Sequence, residues 1–456
     1  VSTQTDSLTN GPRLSLFTAT LLVAANMIGA GIFGTTGQIA QQLPSAPVIL
    51  TCWVIGALMA LCGALSYGEL VGRFPRSGGE YHYLRTLFHP ALGFASGVVS
   101  LVAGFSASIA FNASIFGEYV ATIFLGVNAA EDDTTLFKKI VAVGLVLLLT
   151  TLHAFSVQIG AAIQNTFTLF KIGLLLVFIF GGFFVIPTEN ITDYRLGFDW
   201  SIDGPMFLTA DYGGALINVF YGYLGWNAAA YVTNEIDNPR KNVPLALLYG
   251  TVLVAVLYLL INLVFFRAIP MNELQGKAEA GALAAVRIYG SWFGQALTAL
   301  IALALVSSSS SMIMAGPRVT EAMGSDFRTF RLLTTRVGGS GPLYALGLQA
   351  ALTIYFILAA NYFTILGLIG FLLTLFSGLT VLGLFIARSR AKEPYTGFKV
   401  PLYPVVPAIY LVLAGFMGYS SVVGNLNAVL IGTLTLVVAL GIFTVLERWE
   451  AKQSKQ

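Results

Sequence analysis

Two clusters of glycine interrupt apolar runs of this chain. The first is Met27-Ile28-Gly29-Ala30-Gly31-Ile32-Phe33 and the second is Tyr221-Gly222-Tyr223-Leu224-Gly225-Trp226-Asn227. A lipid-surrounded helix satisfies its own backbone, so a segment that unwinds in mid-span offers its amides and carbonyls to a ligand. The half-helix after a break presents free N–H groups and a positive dipole end, and the half before it presents free carbonyls. Such ends suit a zwitterion. Its carboxylate would take the N–H groups near Ala30, Gly31 and Ile32, and its ammonium the carbonyls near Met27 and Ile28 and near Tyr221, Gly222 and Leu224. Glycine is what lets a ligand approach the backbone so closely. Asn227, just after the second cluster, could hydrogen-bond the unwound segment or a substrate side chain. Each cluster alone reads equally well as a helix-packing contact; their matched positions favour two breaks.

Lys171 lies twelve residues into an apolar run, about 18 Å along a helix axis, where a charge is costly and marks function by default. Ser307 to Ser311 form a five-serine run inside another apolar segment. Ser307, Ser308 and Ser311 are candidates to complete the contacts around Lys171 or an ion, and equally could be small residues that let helices pack.

Whatever positions these residues is embedded in lipid. Of the 456 residues, 56% are hydrophobic and 10% charged, with a mean hydropathy of +0.80, against averages of about 45–50% and about 25%. A soluble enzyme is excluded. Apolar runs and breakers predict twelve membrane helices, spans 1 to 12, near 14–41, 47–72, 92–125, 138–156, 159–186, 207–235, 243–268, 288–325, 343–360, 362–388, 403–423 and 426–447. Span 6 is span 1 plus five, and an odd shift inverts the crossing direction. The expected organisation is therefore a tail over 1–13, one repeat over 14–186, its inverted copy over 207–388, two further helices over 403–447, and a tail over 448–456. An N-terminus in the cytoplasm leaves 17 of the 24 Lys and Arg on that side, six on the other and Lys171 within a span, a strong positive-inside bias. Both termini are then cytoplasmic. The polar N-terminal stretch lacks the pattern of a removable signal.

Other chemistry is sparse. Cys52 and Cys62 fall ten residues apart in one span, about 15 Å along a helix, too far to bridge. No His-Glu-x-x-His, paired membrane aspartates or Ser/His constellation appears, so neither a metal, a cofactor nor an intramembrane hydrolase is expected. Glu118 and Asp211 read as interfacial. With no carboxylate on the central parts of spans 1, 3, 6, 8 or 10, a neutral ligand is favoured over a cationic one. Arg73, Arg76, Arg388 and Arg390 read as topology determinants in contact with lipid headgroups. No nucleic-acid partner is expected.

The motifs resemble those of the amino acid–polyamine–organocation family of secondary transporters, especially its bacterial amino acid permeases and L-type amino acid exchangers. The matching residues are Ile28-Gly29-Ala30-Gly31-Ile32-Phe33, Gly68-Glu69-Leu70, Pro75-Arg76-Ser77-Gly78-Gly79-Glu80-Tyr81, Trp226-Asn227, the run Asn234 to Pro244, and Phe398-Lys399-Val400-Pro401-Leu402-Tyr403-Pro404. The resemblance implies an all-α, twelve-helix, 5+5 inverted-repeat fold like that of the leucine transporter. It implies alternating access for a free L-amino acid held between spans 1 and 6, by exchange or with a proton as the coupled partner. It implies that Lys171 occupies the place of a sodium ion in sodium-coupled relatives, bridging span 5 to spans 1 and 8, and that Tyr221 is an aromatic gate over the substrate. The competing readings are an amine, polyamine or cationic amino acid carrier, a sodium symporter, and a channel or scaffold subunit. Animal L-type exchangers join a single-span glycoprotein through a cysteine between helices 3 and 4. The corresponding loop, Gly126 to Lys139, has none, so no disulfide-linked partner is expected. The expected location is the cell membrane.

Overall fold

The computed structural model describes residues 13–125, 131–155, 157–192, 195, 197–277, 280–336, 341–359, 362–391, 394–424 and 426–453. The chain termini, part of the loop over 126–139 and most of the connector over 337–342 lie outside these residues. The side chains of Ala30, 131–134, 157–164, 362–367 and 452–453 are likewise outside the description.

Span 1 is two helices, α1 (Leu16–Met27) and α2 (Ala30–Gln42). Ser15 caps α1, its side chain accepting from the Thr18 amide. Span 2 is α3 (Ala46–Arg73), followed by a short surface helix, α4 (Glu80–Leu87). Span 3 is α5 (Pro90–Val99), a wide π-helical stretch over Ser100–Ala107, and α6 (Ser108–Leu125). Spans 4 and 5 are α7 (Glu131–Phe155) and α8 (Val157–Phe180). Span 6 is α9 (Ala210–Tyr223) and the single turn α10 (Ala228–Tyr231), and span 7 is α11 (Pro239–Ala268). After the turn α12 (Met271–Leu274) come α13 (Ala280–Ala315) and α14 (Pro317–Asp326). The last four are α15 (Leu343–Ala359), α16 (Tyr362–Ser389), α17 (Val405–Gly424) and α18 (Leu426–Gln453). Among the described residues ten segments are long and apolar enough to cross a membrane, and strand pairing is limited to two isolated bridges. The protein is an all-helical, multi-pass membrane protein.

Two predicted spans differ from the structure. Span 8 begins eight residues before 288, and Gly290, with φ 80° and ψ 173°, breaks its first part. Its predicted end is separated as α14, which starts at Pro317 beyond Gly316. Span 3 widens where small residues dominate, Ser100, Ala103, Gly104, Ser106 and Ala107, and the Ser108 hydroxyl donates five residues back to the Ala103 carbonyl at 3.2 Å. Hydropathy registers apolar length and is blind to helical pitch.

The centre is built from span 1 and its neighbours. α11 packs on α3 and α1, α2 and α3 pack on α9, and α8 and α13 pack on α1. Trp53, Tyr223 and Tyr258 meet in edge and tilted ring contacts at 5.3–5.7 Å between centroids, and the Tyr223 hydroxyl donates to the Trp53 carbonyl at 3.1 Å. Such pairs add roughly 0.5–1.5 kcal/mol each beyond burial, and here they hold α9 against α3 and α11 next to the break.

Candidate functional site

Both glycine clusters are broken helices. In span 1, Ile28 and Gly29 are extended and α2 starts at Ala30. Ala30, Gly31 and Ile32 are therefore the first three residues of a helix, whose N–H groups have no intrahelical acceptor. In span 6, α9 ends at Tyr223, and Leu224, Gly225, Trp226 and Asn227 form the turn before α10. Gly225 has φ +99°, and a Cβ there would lie 2.7 Å from the carbonyl carbon of Asn26. Only glycine fits. The two breaks thus pack on each other, and a second close approach holds Gly31 against Gly222, where a Cβ on Gly31 would meet the Gly222 Cα at 2.5 Å.

Between the breaks lies a cavity of about 60 Å³. Of the residues expected at the site, Met27, Gly31, Tyr221, Leu224 and Asn227 line it, and Ile28, Ile32 and Gly222 do not. Ile32 is fully buried in the core, and Gly222 is spent on its contact with Gly31. The Met27 carbonyl accepts from the Tyr258 hydroxyl at 2.5 Å. The Ile28 carbonyl accepts from the Lys171 ammonium at 2.7 Å and from the Ser308 hydroxyl at 2.5 Å. Two donors fill its two lone pairs, which corrects the expectation that Ile28 offers a free acceptor. The ring of Tyr221 meets that of Phe111 edge-on at 4.9 Å.

Lys171 is completely buried. Its Nζ donates to the carbonyls of Ala25 (3.2 Å) and Ile28 (2.7 Å) and to the Ser308 hydroxyl (2.8 Å), so all three ammonium protons are used. It joins α8 to the unwound end of α1 and to α13. The serines divide their work. Ser308 serves Lys171 and Ile28, the Ser309 hydroxyl accepts from Asn112, Ser310 pairs with His153 at 2.8 Å, and Ser311 donates to the Ser308 carbonyl at 2.8 Å. Ser307 takes no part around Lys171: its hydroxyl is buried with no hydrogen-bond partner among the described residues. Helical period shows which residues share a face, and only the crossing of α13 with α1 decides which of them meets the break.

One charged lining residue escaped sequence reasoning. Glu80, at the start of α4, faces the cavity with its residue only 5% exposed. Its Oε1 accepts from the Tyr67 hydroxyl at 2.8 Å and the Asn227 amide at 2.6 Å, and its Oε2 from the Tyr231 hydroxyl at 2.5 Å. Asn227 therefore spends its amide on Glu80 and Tyr231. Glu80 belongs to no membrane span, so a search of span centres for carboxylates passes over it. The signal available was Gly78-Gly79 before it; both have positive φ and turn the chain inward. His82, two residues on, is kept neutral, because burial and then the nearby Arg76 guanidinium push its pKa down to about 4.

The basic loop residues also make contacts within the protein that sequence reasoning did not anticipate. Arg73 and Arg388 both bind the buried carboxylate of Glu69, at 2.8 and 2.5 Å, and the Val400 amide donates to it as well. Arg76 pairs with Asp326 at 3.0 Å, and Arg390 donates to the Leu87 carbonyl at 2.9 Å. These arginines tie cytoplasm-assigned loops together. Glu118 pairs with Lys138 at 2.7 Å, and Asp211 lies exposed in the first turn of α9.

Two facing helix breaks around a small cavity, with a buried lysine bracing one of them, are the architecture of a solute carrier. The amino acid permease family model matches residues 14–446, and the chain belongs to that family. Similar proteins include the b(0,+)-type amino acid transporter 1 of Mus musculus, 26% identical over 93% of this chain and 85% of the mouse protein. The cystine/glutamate transporter of Homo sapiens is 29% identical over 96% of this chain and 86% of its own. The serine/threonine exchanger SteT of Bacillus subtilis (strain 168) is 25% identical over 94% of this chain and 96% of its own.

Proposed function

We propose that this protein carries a neutral L-amino acid across the cell membrane by alternating access, as a sodium-independent exchanger or a proton-coupled symporter. The observation that carries the reading is the pair of broken helices meeting over one cavity. The amides of Ala30 and Gly31 receive the substrate carboxylate, and the carbonyls of Met27, Tyr221 and Leu224 receive its ammonium group. Tyr221 closes over the substrate against Phe111. Lys171 fills the space between α8, α1 and α13 that a sodium ion would need, and transmits movement of α1 to the rest of the bundle.

The architecture proposed with it has twelve spans, a repeat over 14–186, an inverted repeat over 207–388, and two added helices over 403–447. Both termini lie in the cytoplasm, and the chain works without a disulfide-linked partner. Three relatives named as amino acid carriers or exchangers support the substrate class. The test is uptake of radiolabelled L-amino acids by proteoliposomes of the purified protein, with and without internal amino acid, at fixed membrane potential. Uptake that needs internal amino acid marks an exchanger, and uptake that needs an inward proton gradient marks a symporter. Non-saturating flux would overturn the carrier reading.

A further inference from the structure

Among the described residues Glu80 is the only charged one on the cavity wall. Among the described residues no Lys, Arg or His pairs with it. A buried carboxylate without a cation is costly unless hydrogen bonds satisfy it, and a carboxylate has about four acceptor sites. Three are taken, two on Oε1 and one on Oε2. The site left open is on Oε2, and Glu80 faces the cavity.

Around it the wall is polar. Tyr231, Asn227 and Ser377 line the same cavity. Tyr231 and Asn227 already donate to Glu80, and the Ser377 hydroxyl donates to the Leu373 carbonyl at 2.5 Å while accepting from Tyr410 at 2.7 Å. These donors are committed. A substrate whose α-carboxylate and α-ammonium are held at the helix breaks has only its side chain left to meet Glu80.

We infer that Glu80 is a specificity-determining residue that selects substrates whose side chain ends in a hydrogen-bond donor, which completes the carboxylate's fourth contact. This rests on the transport reading above and names the side-chain class within it. A short hydroxyl or ammonium group satisfies Glu80; a methyl group of the same size leaves a buried charge short of a partner, and an acidic side chain is repelled. Sites built to bond a substrate hydroxyl reject the analogue lacking it far more strongly than apolar pockets reject a hydroxyl.

The test compares substrates that differ only in the terminal group: L-serine, L-2-aminobutyrate and L-2,3-diaminopropionate compete for uptake into proteoliposomes of wild type, Glu80→Gln and Glu80→Asp. In wild type, serine or diaminopropionate is expected to be favoured over 2-aminobutyrate by at least about tenfold. A preference for serine identifies a hydroxyl and keeps the neutral reading; a preference for diaminopropionate identifies an ammonium, supports the inference and overturns neutrality. In Glu80→Gln the ratio is expected to fall at least about fivefold, because hydrogen bonds to a charged acceptor are about twice as strong as neutral ones. Glu80→Asp keeps the charge but withdraws it by one methylene, so preference should move from L-serine to L-homoserine. Should either variant be too slow for uptake, ligand-induced thermal stabilisation of the detergent-purified protein gives the same ratio. A residue that merely holds Tyr67 and Tyr231 in place would leave the ratio unchanged, and an unchanged ratio in both variants overturns the inference. Wild type that takes up 2-aminobutyrate as well as both donor-ended substrates overturns the inference and leaves the transport reading standing. Wild type that takes up no amino acid overturns both.

Discussion

Gly31 and Gly222 touch backbone to backbone: a Cβ added to Gly31 would lie 2.5 Å from the Gly222 Cα. The contact joins the first turn of α2, whose amides are free, to the last turn of α9. Any side chain at position 31 must push the two apart.

Gly31→Ala is therefore expected to lower substrate affinity by at least about tenfold while costing roughly 1–3 kcal/mol of stability as an overpacked contact. Paired measurements of uptake and thermal unfolding check it. Wild-type affinity in a folded Gly31→Ala protein would remove the amides of α2 from the site.

Lys171→Met keeps most of the volume and removes all three donated hydrogen bonds. The Ala25 carbonyl loses its contact at 3.2 Å, and the Ile28 carbonyl keeps only Ser308. Transport should fall at least about tenfold, and a buried acceptor left short costs about 1–3 kcal/mol. Counterflow in proteoliposomes at wild-type rates would reduce Lys171 to a packing residue.

Tyr221→Ala removes the edge-on contact with Phe111 at 4.9 Å, worth roughly 0.5–1.5 kcal/mol. Bound substrate should leave several-fold faster, and Tyr221→Phe should keep most of the retention because the ring is preserved. Release of preloaded radiolabelled substrate after dilution measures both. Equal release from Tyr221→Ala and wild type would remove the gate.

Glu69→Gln leaves the Arg73 and Arg388 guanidiniums without their shared carboxylate. Breaking a buried ion pair by removing one partner costs about 3–5 kcal/mol, so the purified variant should unfold at a lower temperature than wild type. A variant of unchanged thermal stability would show that these loops are held by other contacts.

The membrane class, the helix breaks and the depth of Lys171 were legible because each depends on local composition. An apolar run must be helical in lipid, glycines in mid-span permit unwinding, and a lysine twelve residues into such a run has nowhere solvated to go. Helical period placed the serines near one another, yet Ser308 rather than Ser307 reaches Lys171, because the crossing of α13 over α1 sets which hydroxyl faces the break. The carbonyl of Ile28 looked free for the same reason: its donors, Lys171 and Ser308, come from helices more than a hundred residues away in the chain. Glu80 is the sharpest case. Its sequence neighbourhood is a polar loop between spans, and only the inward turn at Gly78 and Gly79, with Tyr67, Tyr231 and Asn227 converging from α3 and span 6, puts its charge on the cavity wall. Local sequence thus determined where the backbone opens and what it can offer a ligand. Which side chains face that opening was decided by tertiary packing, since contact across helices depends on crossing geometry that no local pattern encodes.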